Sequence, residues 1–156
     1  MKIEIGQKAP SFNLYDTDKQ QVSLESLKGK NVVLLFFPAA FTGVCTKELC
    51  QTRDELSFYN DLNAEVLGIS VDLPFALGKF KELNNYNFKL LTDFNKEASI
   101  AYNVLCEEWI LGLKGVSKRS AFVIDKDGIV RHQEVLENAG DYPNFDAIKE
   151  TLKKLQ

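Results

Sequence analysis

Apolar and polar positions follow different rhythms along this chain, and each rhythm predicts a different element. Residues 31–37, Asn-Val-Val-Leu-Leu-Phe-Phe, are apolar at successive positions from Val32 on. That suits a strand buried on both faces of a sheet. Residues 65–71, Glu-Val-Leu-Gly-Ile-Ser-Val, have the same character. Upstream, Phe12, Leu14, Val22 and Leu24 alternate around the polar turn Asp16-Thr17-Asp18-Lys19, so residues 11–29 read as a short two-stranded extension followed by one helical turn.

Pro38 ends the first buried strand, and Thr42-Gly43 opens a helix over 44–62 with Leu49, Leu56, Tyr59 and Leu62 on its inner side. Asp72-Leu73-Pro74 starts another helix that reaches about Asn84. A strand–helix–strand unit of this length predicts parallel pairing through a right-handed crossover. Leu90-Leu91 is a short strand, and 95–102 a short helix. Residues 120–124 and 129–132 flank Asp125-Lys126-Asp127-Gly128, a strong hairpin signal. Phe145, Ile148, Leu152 and Leu155 mark an amphipathic helix over 145–155. The expected fold is α/β: three layers, with a central mixed sheet flanked by helices and an N-terminal β extension. No repeat or linker divides it, and 156 residues make one domain, 1–156.

Charge narrows the function. A net charge of −3, with both signs interspersed, argues against a nucleic-acid partner. No apolar run approaches a membrane span, and residues 1–6 lack the pattern of a signal peptide, so a cytoplasmic location is expected. Three cysteines are too few for a secreted disulfide scaffold, and in a reducing compartment they point to redox or metal chemistry.

The segment that carries chemistry is Pro38-Ala39-Ala40-Phe41-Thr42-Gly43-Val44-Cys45-Thr46-Lys47-Glu48-Leu49-Cys50. It runs from the end of a buried strand into the first turn of a helix. Cys45 therefore meets unpaired backbone N–H groups and the positive end of the helix dipole. The thiolate, which is the nucleophile, is favoured there. The same N–H groups can hold the oxygens of a bound hydroperoxide. The Thr42 hydroxyl, three residues earlier, can point back at the sulfur. Pro38 has no N–H and can wall the thiolate from water.

Pro38-x-x-x-Thr42-x-x-Cys45 resembles the PxxxTxxC motif of the peroxiredoxins, and Arg119, just before the strand at 120–124, matches the distant arginine of their site. The resemblance spans nearly the whole chain. It implies a thioredoxin-like fold and reduction of hydrogen peroxide and organic hydroperoxides without a cofactor. Cys45 would attack the peroxide and become a sulfenic acid, with Thr42 and Arg119 stabilising the leaving oxygen. Glu48 and Arg53 are supporting candidates that would hydrogen-bond Arg119 or the pocket rim. The five-residue spacing to Cys50 resembles the PrxQ, or bacterioferritin-comigratory, subfamily. It implies a Cys45–Cys50 redox-active disulfide reduced by thioredoxin or a similar dithiol, and a monomer or homodimer. Five residues along a helix mean a rise of about 7.5 Å, beyond the usual Cα separation of a disulfide, about 4.4–6.8 Å. Closing that bond requires the first turns to unwind.

Other readings carry less. Zinc held by Cys45, Cys50, Cys106 and His132 lacks the usual C-x2-C spacing. A thioredoxin-type oxidoreductase would have C-x-x-C at the helix start, not Cys-Thr-Lys-Glu-Leu-Cys. Cys106 reads first as a small buried hydrophobe, and second as a substitute resolving cysteine or a partner in an intersubunit disulfide. Residues 107–113, Glu-Glu-Trp-Ile-Leu-Gly-Leu, are apolar and loop-like. They would form a dimer surface, a lid or part of the core, and they best support a non-catalytic interaction module.

Overall fold

The computed structural model describes residues 2–138 and 140–156. The apolar run after residue 30 forms β3 (Asn31–Phe36), in which every residue is buried. Neither face meets water, so no alternation was needed. β3 pairs in parallel with β4 (Ala64–Ser70), from Asn31 opposite Ala64 to Phe36 opposite Ile69. On its other side it pairs antiparallel with β6 (Ser120–Ile124), from Val32 opposite Ile124 to Phe36 opposite Ser120. That register places residue 119 beside the end of β3, where the chain turns toward Pro38 and Cys45.

The remaining strands are β1 (Asn13–Asp16), β2 (Gln21–Ser23), β5 (Lys89–Thr92) and β7 (Val130–Val135). Among the described residues they complete a seven-stranded mixed sheet in the order β2-β1-β5-β4-β3-β6-β7. The N-terminal extension is part of this sheet, because β1 pairs antiparallel with β5. Gly128, at φ +85°, closes the β6–β7 hairpin, while the Asp125 carboxylate accepts the N–H groups of Asp127 and Ile129.

Alternate side chains of β3 divide the core. Val32, Leu34 and Phe36 pack with Phe12, Tyr102 and Phe122, and with Ala98 of α4 (Glu97–Ala101). Val33, Leu35 and Phe37 pack under α1 (Gly43–Asp54), α2 (Leu56–Asp61), α3 (Pro74–Asn84) and α5 (Phe145–Lys154). Helices thus cover both faces of the sheet in a thioredoxin-like, three-layer α/β arrangement. The Asn144 side chain caps α5 by accepting from the Ala147 N–H at 3.0 Å.

The helix expected over 44–62 is two helices. Glu55, at φ −105° and ψ 10°, separates α1 from α2. Its N–H is shared between the carbonyls of Gln51 and Thr52, a tightened turn that redirects the chain. Its carboxylate pairs with Lys149 of α5 at 2.9 Å. Leu49 and Tyr59 are fully covered as expected, whereas Leu56 and Leu62 are only partly buried.

Candidate active site

The turn from β3 to α1 is held from outside. Pro38 is buried. The Ala40 N–H donates to the Asp72 carboxylate at 2.8 Å. Asp72, just past β4, also accepts the Ser70 hydroxyl at 2.7 Å, and its carbonyl accepts Thr92 Oγ1 at 2.6 Å. Phe41 occupies the left-handed region at φ +67°, which costs a non-glycine residue about 1–2 kcal/mol. Its ring packs on Phe80 with centroids 5.0 Å apart.

Thr42 precedes α1 with extended dihedrals, at the N-cap position, but its side chain makes no cap bond. The hydroxyl donates to the Ala39 carbonyl at 2.9 Å. The expected orientation toward the sulfur is thus corrected: the hydroxyl proton tightens the turn between Pro38 and the helix. The Thr42 carbonyl accepts both the N–H and the hydroxyl of Thr46, at 2.9 and 2.7 Å.

Cys45 is the third residue of α1 and is fully buried. Arg119 reaches it from just before the start of β6: Nη2 donates to Sγ at 3.2 Å, and Nη1 donates to Glu48 Oε1 at 2.6 Å. Glu48 lies three residues after Cys45, so both side chains share one helix face. Exposure is 2% for Arg119 and 0% for Cys45 and Glu48. Burial opposes the Arg119 charge, but Glu48 and Cys45 beside it push its pKa further up, so it stays a cation. Burial lifts the Glu48 carboxyl to about 7, against the pull of Arg119. Glu48 Oε2 has no hydrogen-bond partner among the described residues. One guanidinium therefore bridges the Cys45 sulfur and the Glu48 carboxyl. With Nη2 donating to the sulfur, it can stabilise negative charge at that position without reorganising.

The other candidates lie elsewhere. Arg53 does not join this cluster by any contact shown: its Nη1 donates to the Asn84 carbonyl at 2.6 Å, and its Nε pairs with Asp54 at 2.9 Å. Glu48 takes the position beside Arg119 because it is one turn from Cys45, whereas Arg53 is two turns further on, where α1 meets the end of α3. Cys50 is partly buried, with Sγ 3.7 Å from the Tyr86 hydroxyl and 3.9 Å from Asn84 Oδ1. Cys45, Cys50 and Cys106 are all free thiols.

Cys106 is partly exposed, not a covered core residue, and donates to the Glu108 carbonyl at 3.2 Å. It lines a cavity of about 900 Å³ that also includes Trp109, Lys118 and Arg119. In the 107–113 segment Ile110, Leu111 and Leu113 are exposed and Trp109 is partly covered, so most of its apolar surface is not core. His132 is half-buried in β7, where burial lowers its pKa. Among the described residues no group of three or more His, Cys, Asp or Glu converges as a metal site.

Sequence reasoning missed Asp72, Phe41, Asn84 and Tyr86. A polar residue directly after a buried strand is a usable signal for Asp72. The other three carry none, since their roles depend on backbone turns and on packing between distant segments.

The chain is similar to known proteins over most of its length. The model of the AhpC/TSA family matches residues 5–133. Alkyl hydroperoxide reductase E of Mycobacterium bovis is 38% identical over 136 residues, covering 85% of this chain and 86% of that protein. The chloroplastic 2-cysteine peroxiredoxin of Chattonella marina var. antiqua is 35% identical over 167 aligned positions, covering all of this chain and 82% of the relative. The crystal structure of peroxidoxin BcpB from Mycobacterium tuberculosis superposes with a TM-score of 0.87 at 31% identity, covering 99% of each chain.

Proposed function

Since the chain belongs to the AhpC/TSA family and is a peroxiredoxin, an antioxidant thiol peroxidase, we propose that Cys45 is its peroxidatic residue and Cys50 its resolving residue. The observation that carries the peroxidatic assignment is the 3.2 Å hydrogen bond from Arg119 to Cys45 Sγ, with Glu48 behind the same guanidinium. The Cys45 thiolate attacks the terminal oxygen of a hydroperoxide, breaking the O–O bond. The sulfur becomes a sulfenic acid, and the leaving alkoxide or hydroxide takes a proton to become alcohol or water. Arg119 faces the oxygens as charge moves from sulfur to the leaving group, so its interaction strengthens in the transition state. Pro38 keeps a competing N–H away from the sulfur, and Thr42 holds the turn that presents it.

The Cys50 thiol then attacks the Cys45 sulfenic sulfur, forming the disulfide and releasing water. Both cysteines lie within the unbroken α1, so this step requires the turn between them to open. A thioredoxin-like dithiol in the cytoplasm restores both thiols by exchange, for which a strained local disulfide is well suited. The whole chain, 1–156, acts as one unit in this cycle.

Peptide mapping after one equivalent of hydrogen peroxide tests the proposal. The expected product is a Cys45–Cys50 disulfide that thioredoxin reduces. A stable sulfenic acid at Cys45, or a bond to Cys106, would remove Cys50 from the resolving role and leave the peroxidase itself intact.

A further inference from the structure

The segment at the end of α3 is built against α1 in a way that peroxide chemistry does not require. α3 ends at Asn84 and is capped by Asn85, in the left-handed conformation at φ 53°. That turn directs Asn84, Tyr86 and Asn87 back toward α1. The Tyr86 hydroxyl is 3.3 Å from the Thr46 carbonyl, to which it donates. Arg53 Nη1 donates to the Asn84 carbonyl, and Asn87 Nδ2 donates to the Arg53 carbonyl at 3.3 Å. Between these contacts sits Cys50, beside the Asn84 amide oxygen and the Tyr86 hydroxyl. The Tyr86 ring is 4% exposed and is fixed edge-on to Phe80 at 5.2 Å and stacked on Phe88 at 5.5 Å. Burial, followed by its hydrogen bond with Cys50, raises the Tyr86 pKa. The hydroxyl therefore keeps its proton and remains available as a donor.

The Thr46 carbonyl has a particular place in the helix ladder. In an α-helix it accepts from the N–H four residues on, which is that of Cys50. This bond spans most of the interval between the two cysteines and must open before they can meet. Tyr86 places a second donor on the same carbonyl, and Arg53 ties the following turn to α3.

We propose that Tyr86 and Arg53 are positioning residues that latch α1, so that release of their bonds to Thr46 and Asn84 limits closure of the Cys45–Cys50 disulfide. The latch rests on the assignment of Cys50 as the resolving residue. It acts on resolution and not on the attack on peroxide, because its bonds lie along α1 away from the Arg119–Glu48 pair.

Reduced protein mixed with one equivalent of hydrogen peroxide, quenched at intervals with acid and a thiol-blocking reagent, separates sulfenic acid formation from disulfide formation by mass spectrometry. Tyr86→Phe keeps the packed ring and removes the hydroxyl. Relative to the first phase, its disulfide phase is expected to accelerate about fivefold, the worth of one ordinary hydrogen bond. Arg53→Met loses a charge-assisted bond and is expected to accelerate that phase about tenfold. Tyr102→Phe is the control: it removes a tyrosine bond to the Pro10 carbonyl from the opposite core and leaves α1 untouched. General loosening of the fold would speed all three variants alike, and that result would overturn the latch. If the parent forms its Cys45–Cys50 disulfide and neither Tyr86→Phe nor Arg53→Met hastens it, the latch falls while the functional reading stands. If the parent never forms that disulfide, the resolving assignment falls first and the latch with it.

Discussion

The two cysteines of α1 are one and a half turns apart and occupy opposite environments. Cys45 is sealed from water and held by a buried cation that a carboxylate braces from behind. Cys50 is partly exposed, and among the described residues its hydrogen-bond neighbours are neutral, an amide oxygen and a phenol. The difference fits the two tasks proposed for them. Attack on a peroxide gains from rigid charge placed before the reaction begins. Resolution needs a thiol that can move, and weak neutral contacts cost little to break.

The largest expected effect comes from removing the cation. Arg119→Met should slow the reaction of Cys45 with hydrogen peroxide about 10²- to 10³-fold, as loss of a fixed transition-state donor does elsewhere. Stopped-flow oxidation of the reduced variant measures it. Glu48 should then take up a proton, because a buried carboxylate without its partner is costly to keep charged.

Glu48→Gln tests the brace through stability. In the unfolded chain this carboxyl ionises near 4.5, whereas in the folded protein it ionises at about 7. Between those values the native state holds a proton that the unfolded state has lost. This contribution therefore stabilises the protein most at low pH, declines as pH rises through the window and levels off above 7. His132 acts in the opposite sense, since burial lowers its pKa below the ordinary 6.5, and its contribution grows as pH rises toward that value. The difference between parent and Glu48→Gln isolates the carboxyl. Urea midpoints at pH 5 and 7.5 should shift further in the parent than in the variant, by an amount corresponding to a few kcal/mol.

Thr42→Val gives the smallest effect. It keeps the side chain's shape and loses the bond to the Ala39 carbonyl. It should cost about 1 kcal/mol of stability, read from the same urea curves, while Thr42→Ser should stay near the parent.

How much of this was legible depended on whether the information was local. β3 announced itself because its buried positions from Val32 to Phe36 form an unbroken apolar run. The β6–β7 hairpin was equally clear, since Asp125-Lys126-Asp127-Gly128 carries its turn chemistry in its residues. The break at Glu55 was not visible, because the apolar positions continue across it while the hydrogen-bond ladder does not. Pairing of β1 with β5 joins segments more than seventy residues apart, and nothing in either segment names the other.

The site divides in the same way. Cys45 and Pro38 could be read from a strand followed by a helix. Arg119 was legible only through the family motif, and its contact with Cys45 depends on the antiparallel register of β3 with β6. Glu48 was expected near Arg119 from helix spacing, but its complete burial was not, since an acidic residue on a helix is usually solvated. The direction of the Thr42 hydroxyl was misjudged, and the Asn84 partner of Arg53 was not foreseen, because both depend on which carbonyl lies within reach.

The most direct test of the account is stopped-flow oxidation of the fully reduced protein by hydrogen peroxide, with the first oxidised residue identified by mass spectrometry. The account predicts that Cys45 reacts first, orders of magnitude faster than free cysteine, because Arg119 is already in place on its sulfur. Oxidation no faster than free cysteine, or beginning at the more accessible Cys50 or Cys106, would contradict it.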